Sequence, residues 1–344
     1  MPLGLLYGAA IRARLALYRR GVLSSHDLGV PVISVGNITT GGTGKTPVVA
    51  WVAQALAVER LRVCILTRGY GRRHADKRVL VSDGASLLAD AHEGGDEPRL
   101  LAEMLMGANA AVLSDRDRVE AARWARHHLR SQVFILDDGF QHMRVRRGLD
   151  IVTVDATNPW GGGRLLPQGR LREPPEGLKR ADIIIITRSE QAADLNSLKR
   201  EIEHLSGRKN LFISRTRTRA VRPLDYRQQG TVSSPFSYRV AAFCALGNPQ
   251  AFFNHLGRSG FDLTFTRAFT DHHSYTQDDI KRLILEARER GAEALLTTAK
   301  DSVKLRSLKF DLPCFVVEIE LAFEDELALR RRLLQAIGKI KPLA

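Results

Sequence analysis

Residues 31–56, PVISVGNITTGGTGKTPVVAWVAQAL, read as a hydrophobic strand, a glycine-rich turn, a Lys-Thr pair and a helix. Glycine tolerates the backbone angles that turn successive N–H groups toward a phosphate, and it lets the backbone approach closely. The pattern therefore predicts a phosphate cradle made by Gly41, Gly42, Thr43 and Gly44. The positive end of the helix dipole adds to it, Lys45 reaches the β- and γ-phosphates, and the Thr46 hydroxyl ligates Mg²⁺. Position 39, where the strict phosphate-loop pattern has glycine, holds Thr39, so the match is to a variant loop, GGTGKT. Such a site needs a second half, a hydrophobic strand ending in acid, and VFILDDGFQH supplies it at Asp137 and Asp138. Aspartates after a strand often only cap a helix. Paired with GGTGKT they predict a nucleoside triphosphate bound with Mg²⁺ and a phosphoryl transfer or hydrolysis. ATP is favoured, because the spacing in TTAKD (297–301) does not fit a guanine-reading motif.

Working outward, apolar β-branched runs recur at 31–35, 62–67, 110–113, 133–136, 150–154 and 181–187, with helix-length segments at 47–56, 97–106 and 117–129. This rhythm predicts an α/β fold: a P-loop NTPase-like, doubly wound, mostly parallel sheet with ligands at the carboxyl ends of its strands. The Gly/Pro-rich stretch 158–177 is too long for an ordinary connection, and its arginines make it functional or disordered rather than an inert spacer. A basic, irregular stretch after Arg215, ending at Tyr238, reads as a linker. A second, smaller α/β block follows, with strands near 239–245, 263–268, 294–298 and 314–319 and helices near 249–258 and 277–290; a last helix, 325–337, packs back on the body. The expected organisation is an N-terminal helix (1–26), a nucleotide-binding core (27–230) and a C-terminal domain (239–344) that closes the cleft.

A charged fraction of 26% beside 44% hydrophobic residues argues against a disordered chain or a polytopic membrane protein. The net charge of +14 implies an anionic partner. The basic residues are dispersed and aromatics are only 6%, which speaks against nucleic acid, since stacking platforms are scarce. Cys64, Cys244 and Cys314 lie apart in apolar runs, so neither a disulfide framework nor a zinc ribbon is expected, and a reducing compartment is favoured. The first 26 residues carry four arginines and no acid, with Leu3, Leu6, Ala10, Ala13 and Leu17 at helical spacing. That amphipathic helix either lies on a membrane or packs on the protein's own core.

A receiving hydroxyl needs a base, and two strings offer one: GDEP with Asp96, and DHHSYT with Asp271, His272 and His273. An Asp positioned by a His can accept a hydroxyl proton. Taken alone, GDEP reads more simply as a helix start capped by Asp96, and DHHSYT as a polar turn.

In their order along the chain, the PLGLLYG opening, VGNITTGGTGKTP, TRGYGR, GDEP, LDDGFQH, LLPQGRLREP, DHHSYT and TTAKDSVKL make the sequence resemble the tetraacyldisaccharide 4′-kinases of Gram-negative bacteria over nearly its whole length. The resemblance implies transfer of the ATP γ-phosphate to the 4′-hydroxyl of an acylated glucosamine disaccharide 1-phosphate in lipid A biosynthesis. It implies a peripheral or monotopic enzyme on the cytoplasmic face of the inner membrane. By the same resemblance Lys45 and Thr46 contact nucleotide and metal, Asp137 and Asp138 are the strand-end acids, and Asp96 is the base with His272 as partner. Tyr70 and Arg172 fall on the substrate side and Glu173 on the metal side. The rival reading is a membrane-associated P-loop ATPase acting as a switch or positioning protein, which needs no acceptor-side Asp/His pair.

Overall fold

The computed structural model describes residues 2–209, 211–225 and 235–338. They divide into two compact units. Unit 1 takes the described residues up to Arg215 and those from Leu321 onward, and unit 2 runs from Thr216 to Glu320. In chain order unit 1 contains α1 (Pro2–Arg19), β1 (Val32–Gly36), α2 (Lys45–Ala57), β2 (Val63–Thr67), β3 (Val79–Ser82), α3 (Ala91–Gly94), α4 (Asp96–Met104), β4 (Ala110–Ser114), α5 (Arg118–His128), β5 (Val133–Asp137), β6 (Leu149–Asp155), β7 (Ile183–Thr187), α6 (Leu195–Ser206) and the start of β8 (Phe212–Pro223). Unit 2 holds the rest of β8, then β9 (Arg239–Cys244), α7 (Pro249–Arg258), β10 (Asp262–Ala268), α8 (Gln277–Glu289), β11 (Ala294–Thr298), α9 (Ala299–Leu305) and most of β12 (Cys314–Phe323). The last helix, α10 (Glu326–Ala336), belongs to unit 1.

Within unit 1 the strand order is β8-β7-β6-β1-β5-β2-β4-β3. The pairings are parallel except that the short edge strand β3, unforeseen in the sequence, runs antiparallel to β4. Every residue of β1, β2, β4, β5, β6 and β7 is buried, as expected of strands covered on both faces. Side-chain alternation sorts them. Val133 and Ile135 of β5 join the core under α2, α4 and α10, whereas Phe134 and Leu136 join the core under α5. Unit 2 repeats the plan on a smaller scale, with parallel strands in the order β10-β9-β11-β12 and a core on each face.

Three sequence expectations change. The stretch read as a linker begins as strand, because β8 continues to Pro223; its middle, 226–234, lies outside the described residues, as does the expected boundary at 230. The expected C-terminal domain loses its final helix, since α10 buries Leu329 and Leu333 in the unit 1 core, and Phe323 packs on Trp51 with ring centroids 4.7 Å apart. Third, α1 rests on the molecule not by its leucines but by its glycines. A Cβ on Gly8 would fall 2.8 Å from Leu165 Cδ1, and one on Gly4 would fall 3.1 Å from Gln168 Oε1. Leu3, Leu5 and Leu6 stay 58%, 55% and 64% exposed. No helix among the described residues is long and apolar enough to cross a membrane.

The seating of α10 yields a direct check. Leu329→Ala, at a fully buried position, is expected to destabilise unit 1 by about 2–5 kcal/mol. Leu327→Ala, at a position 80% exposed, should stay within about 0.5 kcal/mol of wild type. Equal midpoints for the two variants in urea unfolding would refute the placement.

Candidate functional site

The site is built on neighbouring strand ends of unit 1. β1 and β5 pair in parallel with Val35 opposite Asp137, so the loop leaving β1 and the acids leaving β5 emerge side by side. Gly44 stands at the N-cap of α2 with φ 78°, a left-handed conformation that favours glycine, and it offers no side chain to cap the helix. The first N–H groups of α2 are thereby left for an anion. The loop is braced from behind. Asn37 Nδ2 donates to Thr43 Oγ1 at 2.8 Å, and Thr43 and Thr153 share a hydroxyl contact of 2.9 Å. Thr187 Oγ1 donates to the Thr43 carbonyl at 2.9 Å and Arg188 Nη1 to the Gly42 carbonyl at 2.7 Å. The Thr43 N–H turns to the Gly41 carbonyl at 3.0 Å.

The two acids sit in different electrostatic surroundings. Asp138, at φ 52°, has its carboxylate 3.3 Å from Lys45 Nζ and 2.6 Å from Arg172 Nη1. Burial raises its pKa, but these cations outweigh burial and hold the carboxyl well below the usual range. Asp137 is more deeply set. Burial, then the charges of Glu97 and Asp138, push it up to about 6 against the pull of Lys45 and Arg118. Arg172 reaches Asp138 because the glycine-rich stretch is ordered: Thr40 N donates to the Arg170 carbonyl at 2.6 Å and Arg172 N to the Ile38 carbonyl at 2.8 Å. Glu173, placed on the metal side by the sequence reading, has its oxygens taken by Gln141 Nε2 at 2.8 Å and by an ion pair with Arg180. Both of its oxygens thus have a partner within the protein.

Asp96 opens α4 and is buried, its Oδ1 accepting from Glu97 N at 2.9 Å. The turn before it packs on the TRGYGR turn so tightly that a Cβ on Gly95 would meet Gly69 Cα at 3.2 Å. Tyr70, 70% exposed, projects from that turn. Lys45 and Thr46 start α2, Asp96 starts α4, Asp137 ends β5, and Asp138, Tyr70 and Arg172 lie in loops, all at the carboxyl edge of the unit 1 sheet. His272 belongs to unit 2, where it adopts φ 61° with Nε2 3.4 Å from Lys300 Nζ and 3.8 Å from Asp271 Oδ1. His273 is otherwise engaged: it stacks on Phe269 at 4.9 Å and its Nε2 lies 3.1 Å from Asp279 Oδ2.

Sequence reasoning missed a cavity of about 460 Å³ in unit 1, lined by Arg68, Arg116, Arg118, Arg144, His142, Asp76, Asp115 and Asp117. Arg118 is buried there, its Nη2 donating to the Asp137 carbonyl at 2.9 Å. Arg118 Nε and His142 Nε2 are buried without a hydrogen-bond partner. Burial, then the charges of Arg118, Arg144, Arg147 and Arg14, pull the His142 pKa down to about 3. A signal existed: Arg118 is the first residue of α5, where the helix dipole disfavours a cation. Four arginines and three aspartates line the volume, with Arg144 paired to Asp117 at 3.2 Å. Among the described residues no group of three or more His, Cys, Asp or Glu side chains forms a ready-made metal cage.

Comparison with known proteins points to one family. A family profile described as "Tetraacyldisaccharide-1-P 4'-kinase" matches residues 1–338. A tetraacyldisaccharide 4'-kinase of Desulfotalea psychrophila is 40% identical over 316 residues, covering 91% of this chain and 89% of the relative. One from Anaeromyxobacter dehalogenans is 42% identical over 301 residues, covering 87% and 79%. Among solved structures, the "apo" form of LpxK from Aquifex aeolicus in complex with ATP superposes with a TM-score of 0.74 at 32% identity, covering 98% of each chain.

The depressed His142 gives a pH test. The unfolded chain takes up this proton near pH 6.5 and the folded protein only near 3, so stability is lost as pH falls from 6.5 toward 3. His142→Gln should flatten the fall in melting temperature between pH 7 and pH 5; an unchanged slope would show that His142 is not buried beside these arginines.

Proposed function

This chain belongs to the tetraacyldisaccharide-1-P 4'-kinase family, and from that premise we propose that it moves the γ-phosphate of ATP, with Mg²⁺, to the 4′-hydroxyl of an acylated glucosamine disaccharide 1-phosphate. It is a kinase of lipid A biosynthesis. Family membership leaves no support for the rival reading of a positioning ATPase.

The observation that carries the reading is the convergence of phosphate loop, paired acids and Asp96 on one sheet edge. The open N-terminus of α2 and Lys45 bind the triphosphate, the braced loop holding its donors in place before the nucleotide arrives. Mg²⁺ suits the residues present. Asp137 is a buried carboxylate short of positive charge, and Thr46, Asp137 and Asp138 are hard oxygen donors that would hold the ion. When bound, it neutralises charge on the transferring group. Asp96 takes the proton from the acceptor hydroxyl as its oxygen bonds to the γ-phosphorus; the bond to the bridging oxygen breaks and ADP departs. By the family resemblance we assign His272 as the assisting histidine, in preference to His273, whose ring is committed to Phe269 and Asp279. Tyr70 and Arg172 face the acceptor side, and the cavity around Arg118 and His142 receives the acceptor's phosphate.

The acceptor's acyl chains hold it in a bilayer at roughly 0.8 kcal/mol per buried CH₂, so the enzyme works at the membrane surface. The exposed leucines of α1, its arginines and the positive net charge suit an anionic membrane at the cytoplasmic face of the inner membrane.

Three outcomes are expected. Transfer of ³²P from γ-labelled ATP to the acylated disaccharide monophosphate should be lost in Lys45→Ala. In Asp96→Ala, kcat should fall about 10²- to 10⁴-fold with the KM for ATP unchanged. Wild-type kcat in Asp96→Ala would remove it as the base. Deleting residues 2–19 should move the protein off lipid vesicles and raise the KM for lipid, and 1 M salt should mimic part of the effect, since screening there acts within about 3 Å. Undiminished vesicle binding by the truncated chain would place the membrane contact elsewhere.

A further inference from the structure

TTAKD, the one string left without a role, contains a side chain that no solvent reaches. Asp301, on the first turn of α9, is 0% exposed and sits in the interior of unit 2. Its carboxylate accepts from Tyr275 Oη at 3.0 Å, from Thr298 Oγ1 at 2.6 Å and from Ala245 N at 3.2 Å to each oxygen. A carboxylate buried among apolar side chains persists only where donors satisfy it, and these come from three separate places: the end of β9, the end of β11 and the loop before α8. Asp301 is therefore the point at which three strand-end segments are tied together.

The loop so tied is the one that carries Asp271 and His272. It starts at Phe269, whose N–H donates to the Cys244 carbonyl at 2.8 Å, and it ends at Tyr275, the Asp301 donor. Between these anchors His272 holds φ 61°, a left-handed conformation uncommon for a residue with a side chain. Lys300 precedes Asp301 on the same turn, so seating Asp301 also sets Lys300 Nζ 3.5 Å from Asp271 Oδ1 and 3.4 Å from His272 Nε2. The ring of Tyr275 packs edge-on against Phe243, Phe269 and His273 with centroids 5.8, 5.1 and 5.1 Å away. Phenylalanine would satisfy that packing equally well, so the hydroxyl serves the bond to Asp301.

We propose that Asp301, acting through Tyr275 and Lys300, is the positioning residue that fixes the His272 imidazole for proton transfer at the acceptor. The inference rests on the reading of His272 as the partner of Asp96. Tyr275→Phe deletes the tie and keeps the ring. On the full-length enzyme, with ATP and the acylated disaccharide monophosphate in detergent micelles, it should lower kcat about 10- to 100-fold with both KM values unchanged. The loss should vanish in a His272→Ala background, because a misplaced imidazole and an absent one cost the same. If Tyr275→Phe does not yield folded protein, Thr298→Val loosens Asp301 from the other side and should give a smaller loss with the same dependence on His272. A kcat loss of equal size in both backgrounds, or a lowered melting temperature with wild-type kcat, would make the network merely structural and overturn the inference. Wild-type kcat in His272→Ala alone would instead remove the reading on which it rests.

Discussion

Two adjacent carboxylates leaving β5 beside the phosphate loop are the constraint that the rest of unit 1 answers. Like charges this close, Asp137 buried and Asp138 half-buried, are costly unless cations meet them. Asp138 is met by Lys45 from α2 and by Arg172 from the glycine-rich stretch, and Arg118 adds a third positive charge against the Asp137 carbonyl. Each cation comes from a different segment, so the acids decide where three otherwise independent pieces of chain must lie. Asp137 is left with less compensation than its neighbour.

The loop opposite the acids is governed by hydrogen bonds rather than charge. Its glycines bring no side chains to pack, so rigidity has to come from elsewhere. Asn37, Thr153, Thr187 and Arg188 provide it from β1, β6 and β7, and Asp155 in turn pairs with Arg188. A loop fixed in this way has little reorganisation to do when a phosphate arrives, which is where a phosphoryl-transfer site gains over water.

These two halves of the site differ in how far they could be read from sequence. GGTGKT and LDDGFQH were legible because their chemistry is local: a glycine turn, a lysine and a helix start within six residues, and two acids ending one apolar run. The parallel sheet was legible for a similar reason, since each strand is buried along its whole length and so appears as an unbroken apolar run. What escaped depends on contacts across the chain. Arg118 looks like a solvated residue beside a capping Asp117 until the fold buries it over the end of β5. β8 continues past Arg215 because its arginines alternate with less exposed residues, and by composition alone they read as a basic linker. α10 shows its helical period plainly, but nothing in it says which unit it joins; Leu329 and Leu333 settle that only by meeting the core over α2. The proposed roles of Asp96 and His272 come from the family resemblance, carried by strings spread over the chain, since GDEP and DHHSYT taken alone read as a helix start and a polar turn.

The N-terminal helix shows how one loop can serve two ends of unit 1. Gly4 and Gly8 let α1 lie directly on Leu165 and Gln168, so the helix is fixed by close approach while its leucines face outward. Leu165 and its neighbours bridge to Leu171, which bridges to Thr39 at the phosphate loop, and the next residue is the Arg172 that grips Asp138. A single ordered stretch thus touches the exposed apolar helix at one end and the acids at the other. On the proposed reading, the height of the phosphate loop above the membrane is set by this stretch and not by a flexible tether. Close approach at Gly4 and Gly8 at one end and the Arg172–Asp138 pair at the other give this glycine-rich stretch its place in unit 1.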